Sequence, residues 1–204
     1  AGFAQMLPEL LGITVTATLP PKLPRKLATI CGSINPITLA QMDAAESAGT
    51  PRVRLTVQQK LNDGWVGSGQ WHRDVMGMEA LLRQRSNTIV ECDGLGDPEG
   101  LSACRERLGL SLEQMRCQIS ETMGLLLTTF LDDGLEATWM VTGGDTLMAF
   151  MHLAELHEMT PICEYTPGVV LTSVCMNGKT IYLLTKSGGF GEERLLLDLE
   201  KKLN

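Results

Sequence analysis

The chain has no run of about 18 apolar residues, so no membrane span is expected. It has no surplus of positive charge: 17 Lys and Arg face 24 Asp and Glu, a formal net charge of -7. Nucleic acid is held by clustered Lys and Arg, so this balance argues against such a partner. There is no Cys-x-x-Cys pair among Cys31, Cys92, Cys104, Cys117, Cys163 and Cys175, and most of these sit in apolar stretches. That spacing argues against a zinc site or a disulfide framework. It points to buried thiols in a reducing compartment, hence a cytoplasmic protein. His72, His152 and His157 gather no nearby carboxylates and read as surface or packing residues. Gly-x-Ser-x-Gly and His-Glu-x-x-His motifs are absent. No secretory signal is visible in the 204 residues given.

The composition is that of a globular domain, 44% hydrophobic and 20% charged. Short apolar runs alternate with helical patterns. Residues 28–33, 52–58, 87–92 and 137–142 read as strands. Residues 36–48, 74–85, 111–133 and 147–156 read as helices, and Ser111 with Gln114 forms a capping box. Two late strands, 168–176 and 179–185, flank Asn177-Gly178, a strong hairpin signal because both residues tolerate positive φ. An amphipathic helix over 192–203 follows. Residues 3–11 look like a short helix, and 19–24 are a Pro-rich linker. The pattern predicts an α/β fold: a mostly parallel sheet with helices on both faces and a C-terminal antiparallel hairpin. Met76, Met78, Met148, Met151 and Met159 read as core filler.

Ligands of such sheets bind at the carboxyl ends of the strands. Three loops there are rich in small residues: 31–38, 141–146 and 186–191. Each precedes a helical pattern, and helix starts with glycines suit an anion. In the second loop, Gly143 and Gly144 are followed by Asp145, a candidate magnesium ligand, and Thr146, a candidate phosphate ligand. Either of the last two also serves as a simple helix N-cap. In the third, Lys186 adds a positive charge beside Ser187, Gly188 and Gly189, although a tight turn explains the same residues. Gly-Lys-Ser/Thr order is absent, so this is not a Walker A loop. Residues 93–100 show Gly-x-Gly-x-x-x-Gly spacing, with Pro98 and Glu99 where a dinucleotide-binding helix should begin. They read better as an acidic loop, and Gly67-Ser68-Gly69 as a flexible turn.

Taken in order, several pieces form a set: Ala1-Gly2-Phe3-Ala4; Cys31-Gly32-Ser33 with Pro36, Thr38 and Gln41; Gly143-Gly144-Asp145-Thr146; Pro167-Gly168-Val169; and Lys186-Ser187-Gly188-Gly189-Phe190-Gly191. This set resembles the C-terminal nucleotide-binding domain of the four-carbon acid sugar kinases, a family long catalogued as a domain of unknown function. Val170 departs from it, since proline is expected there. The resemblance implies that Ser33, Gly143, Gly144, Asp145, Thr146, Gly188 and Gly189 touch ATP; with Lys186 and Ser187 of the third loop they make the candidate nucleotide site, and Asp145 is its candidate magnesium ligand. It implies transfer of the γ-phosphoryl group to the terminal hydroxyl of threonate, erythronate or an oxo-tetronate. The sugar-acid site and the catalytic residues would lie in an N-terminal domain of the same polypeptide. Residues 1–24 are then the remnant of that junction and 25–204 the nucleotide-binding domain; a homodimer is compatible. Two other classes stay open: a non-catalytic nucleotide-binding or assembly module, and an oxidoreductase using residues 94–100.

Overall fold

The computed structural model of the chain describes residues 10–12, 19–92 and 97–204. The short helix expected over 3–11 therefore falls outside the described residues except at its last two positions. Seven strands form one sheet in the order β2-β3-β1-β4-β7-β6-β5. They are β1 (Leu27–Cys31), β2 (Arg52–Arg54), β3 (Asn87–Glu91), β4 (Thr138–Thr142), β5 (Thr160–Thr166), β6 (Val169–Met176) and β7 (Lys179–Lys186). The first five positions pair in parallel, and β7, β6 and β5 form an antiparallel meander. The helices are α1 (Pro36–Ser47), α2 (Val57–Lys60), α3 (Gly69–Gln84), α4 (Pro98–Arg107), α5 (Leu112–Asp132), α6 (Gly144–Leu153) and α7 (Leu195–Leu203).

The central strands are apolar throughout because both faces are covered. Alternate residues feed two cores. Ala28, Ile30, Val90, Trp139 and Val141 pack with Met123, Leu126, Leu127 and Phe130 of α5, with Phe150 of α6 and with Val75 and Leu82 of α3. Leu27, Cys31, Ile89, Met140 and Leu184 pack on the other face with Met42 and Ala45 of α1 and Leu195, Leu196 and Leu199 of α7. Each fully buried Leu or Phe contributes about 1.5–3 kcal/mol. α5 and α6 approach at Gly124, where a Cβ would stand 2.7 Å from the Phe150 amide nitrogen.

The expected architecture is present, with local corrections. Strand β2 stops at Arg54, since Thr56 and Gln59 form a capping box that opens α2 instead. Gly67-Ser68-Gly69 is no flexible turn: Ser68 Oγ accepts from Trp71 N (3.1 Å) and starts α3. Residues 98–107, expected to open as a loop, are helical, whereas 93–96 lie outside the described residues. The Asn177-Gly178 hairpin joins β6 to β7, but β7 sits inside the sheet and the unexpected β5 takes the edge. Met76 and Met148, read as core, are 69% and 67% exposed. The three histidines are exposed, while Cys117 and Cys175 are exposed thiols, unlike buried Cys31, Cys92 and Cys104.

Candidate functional site: a cleft between three glycine loops

From β1 the chain moves to β2 and β3 on one side of the sheet, and β4 lies on the other. At such a switch point the loops diverge and leave a crevice at the strands' carboxyl ends. A cleft of about 480 Å³ occupies it, lined by residues 32–35, 143–146 and 187–189. Three segments far apart in sequence therefore meet in one place.

The first loop is stitched to β4 by Gly32 N, which donates to Thr142 O at 3.0 Å. Asn35 Oδ1 accepts from Ile37 N (3.0 Å) and caps α1, with Pro36 at its first position. Ser33 Oγ accepts from Asn35 N (3.3 Å). The Asn-Pro pair was the signal for this cap, and Asn35 and Ile34 line the cleft although neither was singled out from the sequence.

The second loop is built differently. Gly143 takes φ 109° and ψ 120°, a conformation closed to L side chains, and is the N-cap of α6. Having no side chain, it caps nothing. The first-turn amides of α6, at residues 144–146, therefore lack both an intrahelical acceptor and a side-chain cap. Asp145 and Thr146 are the second and third helical residues, so the reading of either as the N-cap is overturned. Asp145 is exposed at the cleft. Thr146 is 1% exposed, and its hydroxyl has no hydrogen-bond partner. A buried unpaired hydroxyl costs about 1–3 kcal/mol. The fold makes room for it: a Cβ on Gly32 would overlap the Thr146 Oγ1 atom.

The third loop is held from beneath. Lys186, 4% exposed, directs Nζ to Thr38 Oγ1 (2.9 Å), Ser187 O (3.1 Å) and Gly188 O (3.1 Å), which uses its three donors. Burial holds its pKa below the ordinary lysine value. Its charge thus fixes the loop's own carbonyls. Gln41 Nε2 adds bonds to Phe190 O and Glu192 O, both 3.0 Å. A Cβ on Gly188 would come within 2.6 Å of Ser33 Oγ, so the first and third loops touch. Ser187 and Gly189 are exposed on the cleft side. The following helix, α7, starts only at Leu195, which does not line the cleft.

The chemistry available is anion binding. Among the described residues, Asp145 is the single carboxylate lining the cleft, and no group of three or more His, Cys, Asp or Glu gathers to hold a metal. Magnesium commonly uses one or two carboxylates plus phosphate oxygens and water, so this donor set fits it only together with a phosphate. Cys31, beside the cleft, is no nucleophile: burial pushes its thiol up to about 12. The start of α4 is poorly suited to an anion, because Asp97 Oδ1 accepts from Gly100 N (2.8 Å) and puts a carboxylate there.

Residues 28–196 match the family model described as a nucleotide-binding C-terminal domain. The chain belongs to that family. It is 28% identical, over its whole length, to a 3-oxo-tetronate kinase of Brucella melitensis, of which it covers 44%. With that relative, the family match bears out the resemblance carried by the three loops: this is a C-terminal nucleotide-binding domain of the four-carbon acid sugar kinase family. Among solved structures, it is similar to a Haemophilus influenzae protein of a family named only as a domain of unknown function. That likeness has a TM-score of 0.69 at 18% identity, over 98% of this chain and 46% of the other. A Bordetella bronchiseptica protein, a citrate-bound, domain-swapped dimer, matches with a TM-score of 0.65 at 21% identity, over 87% of this chain and 40% of its own. The two likenesses concern the fold. The chain spans less than half the length of each of these relatives. No described helix is long and apolar enough to cross a membrane.

Proposed function

We propose that the cleft binds the phosphates of ATP, and that with an N-terminal domain of the same polypeptide the chain works as a kinase of four-carbon sugar acids. The acceptor is the terminal hydroxyl of a compound such as threonate, erythronate or 3-oxo-tetronate, as the name of the Brucella melitensis relative suggests. The observation that carries the reading is the buried, unpartnered Thr146 hydroxyl on the open first turn of α6. A phosphate oxygen would satisfy it together with the free amides of residues 144–146.

Bound there, ATP supplies the transferable phosphoryl group and magnesium neutralises charge on it. The residues of this chain position it. Gly143 and Gly144 let a phosphate come close to backbone, Thr146 donates its hydroxyl, and Asp145 offers the metal a carboxylate beside the phosphates. Ser33, Ser187, Gly188 and Gly189 close the opposite wall, and Lys186 holds that wall in shape. Among the described residues, no histidine and no second carboxylate lines the cleft. A base for the sugar hydroxyl therefore has to come from the other domain, and the chain alone should bind nucleotide without turning it over.

Isothermal titration of the chain with ADP and magnesium tests the reading. Saturable heat with one site is expected. No heat and no shift in melting temperature at millimolar ADP would refute it.

A further inference from the structure

A second concavity of about 360 Å³ adjoins the cleft and shares Gly143, Gly144 and Ser187 with it. Its remaining walls differ in chemistry. Leu147, Val170 and Phe190 present apolar surface, Gly168 forms the floor beneath Phe190, and Thr185 has its hydroxyl engaged as donor to Val170 O at 3.3 Å. The volume lies in the range of small-molecule sites.

Phe190 is the unusual member. It is 57% exposed, yet its backbone is pinned at both ends: the amide donates to Ser187 O (3.3 Å) and the carbonyl accepts from Gln41 Nε2 (3.0 Å). From the other side the ring packs on Gly168, where φ is +80° and a Cβ would stand 2.8 Å from Phe190 Cβ. An aromatic face is thus held ready beside an anion cleft at no further ordering cost. Such faces stack on nucleobases and tolerate any base, because every base has a π-face.

We infer that this groove is the nucleobase subsite of the nucleotide whose phosphates lie on α6, with Phe190 as its stacking wall. The inference rests on the phosphate reading above. Lys186 is consumed beneath its loop and Thr185 is committed to Val170, so among the described lining residues the one remaining side-chain donor is Ser187, at the seam with the phosphate cleft and assigned above to its wall. The subsite therefore recognises a flat aromatic base by shape and burial.

Isothermal titrations of the chain, Phe190→Ala and Phe190→Tyr with pyrophosphate, ADP and GDP test this, with melting curves to check folding. The expected result is ADP binding at least about tenfold tighter than pyrophosphate, an advantage lost in Phe190→Ala and kept in Phe190→Tyr. Pyrophosphate affinity stays constant across the variants. GDP follows ADP within roughly tenfold, since an apolar pocket discriminates weakly. If Phe190→Ala binds ADP like the parent while pyrophosphate binds normally, the subsite is wrong and the phosphate reading survives. An equal loss for pyrophosphate and ADP would make Phe190 a loop-shaping residue and also overturn the subsite. GDP weaker than ADP by more than about a hundredfold would show edge reading and overturn recognition by shape. If neither pyrophosphate nor ADP binds, both readings fall.

Discussion

Helices α5 and α6 pack against each other through Gly124, yet they begin in opposite ways. The first turn of α5 is closed: Ser111 Oγ accepts from Gln114 N (3.1 Å), and Gln114 Oε1 accepts from Ser111 N (2.8 Å). The first turn of α6 has a glycine cap, no side-chain acceptor and a buried hydroxyl with nothing to bond. Four other helices, α1 to α4, also start under side-chain caps, from Asn35, Thr56, Ser68 and Asp97. This sequence knows how to finish a helix. Two of the described starts have no side-chain cap, those of α6 and α7; only that of α6 lines the cleft at the switch point of the sheet, and on the proposed reading its unfinished bonds belong to a ligand. Buried unpaired hydroxyls also occur at Thr29, Thr88 and Thr122, so what distinguishes Thr146 is that its hydroxyl coincides with an uncapped helix start lining a cleft; glycine content alone does not mark the site, since residues 93–100 are also glycine-rich and Asp97 caps the helix that follows.

The strongest way to break the comparison is Gly144→Val. No atom lies within 4 Å of a Cβ there, so the empty protein has space for the side chain. ADP binding should be lost beyond detection by titration, with melting nearly unchanged; unaltered binding would mean that phosphate does not approach α6. Next is Lys186→Met. Removing the ammonium deletes three hydrogen bonds and leaves Ser187 O only Phe190 N (3.3 Å) and Gly188 O only Thr38 Oγ1 (2.7 Å), which should cost about 1–3 kcal/mol of stability in urea unfolding. A lysine that served only a phosphate would leave the stability of the empty protein unchanged.

Asp145→Asn sharpens the distinction between cap and metal ligand. Since Gly143 and not Asp145 is the cap, stability should move by no more than about 0.5 kcal/mol. ADP affinity measured with magnesium should fall by about tenfold, whereas affinity without magnesium should hold or rise. Equal effects with and without the metal would remove Asp145 from the metal's coordination. The smallest effect lies far from the cleft, where Glu46 bridges Arg52 and Arg54. The hydrogen bond from Arg54 holds the Glu46 carboxyl below its ordinary value of 4.5. Its stabilisation is therefore complete above that pH and is lost as pH falls through the lowered value. Glu46→Gln should flatten the acid limb of a melting-versus-pH curve by under about 1 kcal/mol, as expected of a partly exposed ion pair.

Much of the fold was legible because parallel strands covered on both faces read as plain apolar runs, as at Trp139, Met140 and Val141. Ser111 and Gln114 announced α5, and Asn177-Gly178 announced the hairpin. β5 was invisible because an edge strand carrying Pro161 and mostly half-exposed residues has neither an apolar run nor clean alternation. α4 was hidden behind acidic loop residues that turned out to be its own cap. At the site, the three loops could be found from their glycines. What could not be read was which polar groups are already spent. Lys186 finds Thr38 across 148 residues of chain, and Thr146 is left alone only because Gly32 and Gly143 enclose it. Those facts depend on tertiary distance, and local sequence carries no trace of them.

The central claim is that α6 is left open for a ligand, and Thr146→Val tests it most directly. The substitution keeps the side chain's shape and deletes the unpaired hydroxyl. Stability of the empty protein should hold or rise by about 1 kcal/mol in urea unfolding, because a buried unsatisfied group has gone. In the same samples, ADP affinity should fall by about tenfold, the loss of one charge-assisted hydrogen bond. A variant that is less stable and binds ADP as tightly as the parent would contradict the account, for the hydroxyl would then serve the fold and not the phosphate.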